Sequence, residues 1–402
     1  LTETDPQKIR WQTLPEGDVG LRAHAGTIGE EHSIVSLSDG SLYCVYRTAG
    51  DHPTQAYSRD GGRTWTSPEP MTYGPGRRKV KHSRAANFVW DAGEGRYLYW
   101  YHNHGGYIFH NQRNPAWIAA GREVDTPEGK AIAWSEPEVL LYDEDAYNAR
   151  ISYPDYLSDR GRHFITETQK SIARVHEIPA EFLEMLWGQP SRDDVTDDAV
   201  AFEVVAPSTI TSGPTSLPEL SAFVAETGVE GSGFTVEFWV RFKALTVGQE
   251  LVEARDAVGN GFSVTTTNRG TIQLGMRGPF GPPPIDDYYR GIADFGIAEA
   301  GWDSDPGALK TDQWHHVAIV VDGGPKIISF IIDGVLLDGG DVRQFGWARF
   351  PAQLRTVSFG QPLKIAPNLD GQIRDFRLHR RALRTTEVIG NWRAAEATNR
   401  AR

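Results

Sequence analysis

The sequence has a single cysteine, Cys44, among 402 residues, which excludes an internal disulfide framework and any multi-cysteine metal site. It has no apolar run approaching the roughly 20 residues of a membrane-spanning helix, so no transmembrane helix is expected. It has no excess of positive charge: 41 Lys and Arg against 53 Asp and Glu leave a formal net charge of −12. Binding driven by counter-ion release from nucleic acid has little to draw on in such a chain, and nucleic acid is not an expected partner. The first residues, Leu1-Thr2-Glu3-Thr4-Asp5, carry neither the basic nor the apolar region of a signal peptide. What is abundant points one way. With 42 Gly, 24 Pro and 43 aromatic residues (12 Trp, 14 Tyr, 17 Phe), the composition suits many short strands joined by tight turns and excludes a helical bundle. The length favours two domains, each large enough to bury its own core.

The first half repeats one pattern about every 50 to 70 residues: strand, Gly-containing turn, strand, then a polar segment ending in Trp. The first copy reads Ser33–Leu37, turn Ser38-Asp39-Gly40, strand Ser41–Arg47, then Gln55–Ser58 and the loop to Trp65. The second runs Ala86–Trp90, Arg96–Tyr101 and Pro115–Ala119, closing on Trp134. The third holds Ser152–Leu157, Arg162–Thr166 and Ile172–His176. Such repetition predicts propeller blades, three of them. A closed propeller needs about four or more, so the ring is expected to be partial and completed by an upstream polypeptide or a second chain. Ile9–Leu14 reads as the last strand of a preceding blade.

A short amphipathic stretch, Pro179–Trp187, leads into a Pro/Ser/Thr-rich linker or wrapping segment. A second domain follows, in which Phe234, Val236, Phe238, Val240 and Phe242 alternate onto one face. Strands at 261–267, 271–276, 316–321, 327–332 and 374–378, punctuated by Gly turns, predict a two-sheet sandwich. The expected organisation is therefore all-β: residues 1–187, a linker at 188–217, and a sandwich at 218–398. The long Pro-, Tyr- and Asp-rich loop 278–305 is of a length that is usually functional.

Ser58-Arg59-Asp60-Gly61-Gly62-Arg63-Thr64-Trp65 resembles the Asp-box (BNR) hairpin of sialidase-type propellers, a structural motif that speaks to fold rather than chemistry. The run Glu31–Arg47 resembles the sialidase segment in which a glutamate opens a strand and an arginine closes the next. Arg113-Asn114-Pro115-Ala116-Trp117 resembles the segment carrying that family's third arginine, and Ser152-Tyr153-Pro154-Asp155 the strand presenting its tyrosine nucleophile. Together these cover about residues 9 to 187. Phe234–Val240, Gln313–Ala318 and Leu369–Leu378 resemble laminin-G-like, concanavalin-A-like sandwiches, which bind sugars, bind calcium or pack against a catalytic module.

The resemblance implies a sialidase-like glycoside hydrolase acting on a carboxylate-bearing terminal sugar. Guanidinium forks suit a carboxylate because they donate bidentate, charge-assisted hydrogen bonds, and Arg47 and Arg113 would be two of them. The substrate's negative charge rationalises a neutral tyrosine nucleophile, Tyr153. A phenol with a reference pKa near 10 needs a base, and Glu31 would supply it. Glu30 adjoins Glu31, and neighbouring strand positions point oppositely, so one of the two is expected to be solvated. Arg84 and Arg150, at blade entrances, are rival carboxylate receptors. The family's first arginine and acid/base aspartate belong to earlier blades and would come from outside this chain.

Other readings compete. His82, His102, His104 and His110 cluster in the second repeat, and His102-x-His104 on one strand, with His82 across the hairpin, suits a metal site or the acid/base pair of a propeller-type polysaccharide lyase. The same residues suit a hydrogen-bonded polar rim. The run Arg77-Arg78-Lys79-Val80-Lys81 suits either an anionic glycan or a solvated loop. No cofactor is needed for hydrolysis; Asp370 and Asp375, or Asp286-Asp287, offer hard oxygen ligands for a structural calcium ion. A carbohydrate-binding protein without catalysis is the non-enzymatic reading. A glycan partner implies an extracellular or periplasmic setting.

Overall fold

The computed structural model describes residues 4–15, 20–24, 28–106, 113–145, 148–204, 210–214, 232–280 and 296–400. His110 and Asp286-Asp287 lie outside the described residues. The chain is mostly β, with 47% of residues in strands and 7% in helices. It divides into two compact units. The first comprises residues 1–113, 117–135 and 152–183, the second 114–116, 136–151 and 184–402.

The first unit contains antiparallel sheets whose strands neighbour one another in chain order. One is β1 (Gly29–Ser36), β2 (Leu42–Thr48), β3 (Thr54–Ser58) and β4 (Glu69–Pro70); the next runs β5 (Phe88–Gly93), β6 (Arg96–Tyr101), β7 (Ala116–Thr126) and β8 (Gly129–Trp134). After β9 (Glu138–Leu141), which falls in the second unit, a three-stranded sheet is formed by β10 (Tyr156–Asp159), β11 (Arg162–Thr168) and β12 (Ala173–Ile178). Chain-order pairing follows from the tight turns: Asp39-Gly40, Glu94-Gly95 and Arg160-Gly161 each place residues in the left-handed region that a short hairpin needs. Aromatic residues fill the interior. Tyr43, Tyr97, Tyr99, Trp100 and Tyr101 are fully buried, and Trp134 packs on Tyr43 and Tyr99 with ring centroids 6.4 and 5.6 Å apart.

The loop after β3 is a closed hydrogen-bonded hairpin. Asp60 Oδ1 accepts from the Thr64 amide at 2.8 Å and Oδ2 from the Thr64 hydroxyl at 2.6 Å, while Trp65 Nε1 donates to the Gly62 carbonyl at 3.0 Å. Gly61 and Gly62 have φ of 72° and 92°, a conformation open to glycine without steric cost.

One expectation for this unit fails: Ile9–Leu14 forms no strand, and Trp11 is 85% exposed. The basic run is partly solvated, with Arg77 and Lys79 exposed, but it is also tied to the fold: Lys81 and Val80 are buried, Arg78 stacks 4.1 Å over the Tyr73 ring, and Arg77 donates to the Trp134 and Tyr73 carbonyls at 2.6 and 3.0 Å.

Helix α1 (Ala180–Gly188), which begins in the first unit and ends in the second, leads to β13 (Val200–Val204) and β14 (Ile210–Pro214) of the second unit. The remaining strands are β15 (Gly233–Phe242), β16 (Glu250–Arg255), β17 (Gly261–Thr266), β18 (Ile272–Phe280), β19 (Gly296–Asp303), β20 (Trp314–Asp322), β21 (Ile327–Ile332), β22 (Val335–Leu336), β23 (Trp347–Arg349), β24 (Pro362–Asn368) and β25 (Gly371–His379), followed by helix α2 (Thr385–Arg400). One sheet has the order β13-β25-β15-β20-β21-β22 with β23 on β21; the other has the order β14-β24-β16-β17-β18-β19. Phe234, Val236, Phe238, Val240 and Phe242 of β15 meet Phe262, Val264 and Leu274 of the other sheet in one apolar core, as their alternation requires. The opposite face of β15 is covered too, since Thr235, Glu237 and Trp239 are buried.

Candidate functional site

The strand pairing of the first unit brings four of the sequence-derived residues together. Register pairs Glu30 with Arg47, then jumps to Ser33 with Val45 across a β-bulge. Within that bulge Glu31 has φ of 59°, which turns its side chain toward the same arginine instead of the opposite face. Both glutamates therefore contact Arg47, and Glu30, its side chain 41% exposed, is the more solvated of the two. Arg47 donates from Nε and Nη2 to Glu30 Oε2 at 2.9 and 2.5 Å, and its Nη1 lies 3.0 Å from Glu31 Oε2. Arg84 Nη2 reaches the same Glu30 oxygen at 3.3 Å. These guanidinium groups, Arg47 foremost, hold the Glu30 carboxyl below the usual carboxylate range.

Tyr153, which precedes β10, has φ of 48°, a rare conformation for an aromatic residue. Its hydroxyl donates to Glu31 Oε1 at 3.0 Å. One oxygen of Glu31 thus faces the phenol and the other faces Arg47. Partial burial raises the phenol's pKa and the hydrogen bond to Glu31 raises it further, against the opposing charges of Arg47 and Arg113. The resting phenol therefore keeps its proton, and it stays reachable, with Tyr153 46% exposed. Arg113 donates from Nη1 to Ser152 Oγ at 2.8 Å, anchoring it beside the tyrosine. Sequence reasoning passed over Ser152 as a partner and Glu30 as a bridge. The only sequence signal for the bridge was the Glu-Glu pair itself.

The other candidates are placed differently. Arg150 falls in the segment 136–151 of the second unit. His102 and His104 follow the end of β6 instead of lying on it, and both are buried. His82 is buried with its Nδ1 accepting from the His102 amide at 3.1 Å and its Nε2 donating to the Ala85 carbonyl at 2.8 Å. Burial pushes its pKa down to about 4. With both nitrogens occupied by backbone, His82 cannot ligate a metal or act as a base, and buried His102 and His104 cannot serve as substrate-facing groups. Among the described residues no group of three or more His, Cys, Asp or Glu side chains converges on a metal position. Asp370 and Asp375 lie 3.8 and 3.6 Å from Lys243 and Arg374.

Residues 219–389 match the family model of the concanavalin A-like lectin/glucanases superfamily. No curated protein matches the chain. Among solved structures, Trypanosoma rangeli sialidase in complex with sialic acid is similar at a TM-score of 0.29 and 12% identity, over 92% of this chain and 62% of that one. A Ruminococcus gnavus IT-sialidase CBM40 bound to alpha2,3 sialyllactose is similar at 0.29 and 16%, over 46% of this chain and 97% of that one. The chain spans about six-tenths of the length of the T. rangeli sialidase. Likeness at this level carries no functional weight, which leaves the side-chain geometry to do so. Among the described residues no helix is long and apolar enough to cross a membrane.

Proposed function

We propose that the three sheets of the first unit are blades of a partial sialidase-type propeller, with the second unit a laminin-G-like jelly roll. In this reading the cluster around Tyr153 belongs to a retaining, sialidase-like glycoside hydrolase acting on a carboxylate-bearing terminal sugar. The observation that carries it is the linked contact of Tyr153 Oη with Glu31 Oε1 at 3.0 Å and of Glu31 Oε2 with Arg47 at 3.0 Å. A half-exposed phenol with a carboxylate acceptor and flanking guanidinium groups is what nucleophilic attack on an anionic sugar requires. Tyr153 Oη bonds to the anomeric carbon as its proton passes to Glu31; the bond to the leaving oxygen breaks, and that oxygen takes a proton from an acid outside this chain. Water then hydrolyses the glycosyl-tyrosine. Arg113 receives the substrate carboxylate, and Arg47 shares it by giving up its contact with the more exposed Glu30. An external glycan substrate places the protein outside the cytoplasm, extracellular or periplasmic.

The test uses an aryl sialoside. Its phenolate leaves without protonation, so turnover does not depend on the external acid. Hydrolysis by the protein, lost at least about a thousandfold in Tyr153→Phe and in Glu31→Gln, supports the reading; unchanged turnover in Tyr153→Phe eliminates it. A second reading, glycan binding without turnover, is favoured by the match of residues 219–389 to a lectin-type family model. It predicts sialoside binding with no hydrolysis by the wild-type protein.

A further inference from the structure

The reaction proposed above asks Arg47 to meet a substrate carboxylate, yet Arg47 already meets two carboxylates of its own chain. Its Nη1 faces Glu31 Oε2 at 3.0 Å, and the edge formed by Nε and Nη2 ends on Glu30 Oε2 at 2.9 and 2.5 Å. A third anion on this guanidinium would stand beside two like charges, a repulsion that low exposure leaves poorly screened. One of the two glutamates must therefore yield.

They are held differently. Glu31 is engaged at both oxygens, Oε2 by Arg47 and Oε1 by the Tyr153 hydroxyl at 3.0 Å, so moving it would separate the phenol from its acceptor. Glu30 is engaged at one oxygen only. Its Oε2 takes both Arg47 donors and Arg84 Nη2 at 3.3 Å, and no donor among the described residues reaches Oε1. Three donors from two guanidinium groups thus converge on a single oxygen, a position built for an anion and filled by the more exposed of the two glutamates. Arg47 and Arg84, with side chains 14% and 16% exposed, are the fixed part. A ligand carboxylate on the same edge offers two oxygens to the planar fork, the stronger arrangement.

We propose that Glu30 is a displaceable internal anion, which occupies the Arg47–Arg84 receptor until a ligand carries in a carboxylate of its own. The inference rests on the assignment of the Tyr153 cluster to a carboxylate-bearing sugar, and it adds the residue that screens ligands by charge. A neutral glycoside has nothing to put in the place of Glu30, so it leaves both guanidinium groups paired as before and gains nothing from them. Discrimination is then set by an element that works against the wrong ligand as well as for the right one. If Glu30 holds the receptor about nine-tenths of the time, the apparent affinity for the acid is lowered about tenfold. A glutamate that only braces Arg47 has the opposite effect, because removing it frees the arginine and weakens binding of the acid.

The test compares binding of N-acetylneuraminic acid with that of its C1 methyl ester, by NMR titration of the whole chain. Glu30→Gln, which keeps the length of the side chain, and Glu30→Ala, which removes it, should each bind the acid about tenfold more tightly than wild type, while binding of the ester changes less than about twofold. In wild-type protein carrying 13C-labelled glutamate carboxyls, saturating acid should move the Glu30 signal, identified by its loss in Glu30→Gln, toward that of a solvated glutamate. Acid binding that is unchanged or weaker in both variants, an ester affinity that rises as much as the acid's, or a Glu30 signal that stays in place at saturation overturns the proposal. Each of those results is obtained with a site that binds the acid, so none touches the assignment of the cluster. Absence of acid binding in wild type and variants alike defeats that assignment, and the role of Glu30 falls with it.

Discussion

Glu237→Gln asks whether one buried carboxylate holds the second unit together. Glu237 lies in the middle of β15 and is 2% exposed. Its Oε1 accepts from His316 Nε2 at 3.0 Å and Asn391 Nδ2 at 3.1 Å; its Oε2 accepts from His379 Nε2 at 3.2 Å and Asn391 Nδ2 at 2.9 Å. Those partners belong to β20, β25 and α2, so four elements meet at one side chain. Burial would raise the carboxyl's pKa, but the hydrogen bonds from the two imidazoles outweigh it and hold it at about 2. A folded pKa below the unfolded value of 4.5 contributes stability that is present above pH 4.5 and lost as the pH falls toward 2. The displacement corresponds to about 3 kcal/mol, and removing one partner of a buried pair costs about 3 to 5 kcal/mol by a separate route. Against a domain stability of about 5 to 15 kcal/mol, that is a large fraction. Because two units need not unfold together, the assay is hydrogen exchange of peptides from β15 and β20. At pH 7 the variant should exchange about a hundredfold faster than wild type, and the gap should close as pH falls from 4.5 to 2. A gap that stays constant over that range, or a loss below about 1 kcal/mol at pH 7, would refute the reasoning.

Burial pushes the Cys44 thiol up to about 12, so the folded protein should resist iodoacetamide at pH 8 and label fully in denaturant; equal labelling rates in the two states would contradict the packing around β2. His82, with a pKa of about 4 in the fold against 6.5 unfolded, contributes stability that is present above pH 6.5 and lost as the pH falls toward 4, about 3 kcal/mol in all. Its ring should stay neutral at pH 5.5 by NMR, and a titration midpoint above 6 would show that the backbone does not hold it. Asp60→Ala removes the acceptor of the Thr64 amide and hydroxyl. Faster exchange of the Thr64 amide, with Tyr153 and its neighbours unaffected, is the expected outcome, and unchanged exchange would mean the hairpin does not depend on that carboxylate.

Much of the strand pattern is legible in the chain because it rests on period-two alternation, which a sequence displays directly. Phe234 to Phe242 is the clearest instance, and the same residues form the core. The alternation says nothing, however, about what covers the other face. Glu237 looks like an ordinary solvent-side residue until His316, His379 and Asn391 arrive from distant parts of the chain. The histidines of the second repeat mislead for a related reason. Spacing suggests a shared strand face, but β6 ends at Tyr101, and the His82 and His104 rings turn inward to meet backbone groups. Ile9–Leu14 has a strand-like composition, yet among the described residues no strand forms there.

The Tyr153 cluster depends on a feature that alternation cannot encode at all. Among the described residues of the first unit, Glu94 before Gly95 and Arg160 before Gly161 owe their left-handed backbone to a turn beside a glycine. Glu31 and Tyr153 do not: one interrupts a strand and the other precedes a proline, and each costs about 1 to 3 kcal/mol to hold there. A regular strand through Glu31 would send its carboxylate to the face opposite Glu30 and leave Arg47 with a single partner. The bulge instead stacks two carboxylates against one guanidinium, and the strained turn at Tyr153 brings the phenol to the oxygen that Arg47 does not occupy. Two unrelated segments, 122 residues apart, are each bent out of their preferred conformation, and the two distortions converge on one 3.0 Å hydrogen bond. Packing alone gives no reason for that coincidence, since Tyr153 remains half exposed; the role proposed for the pair would supply one.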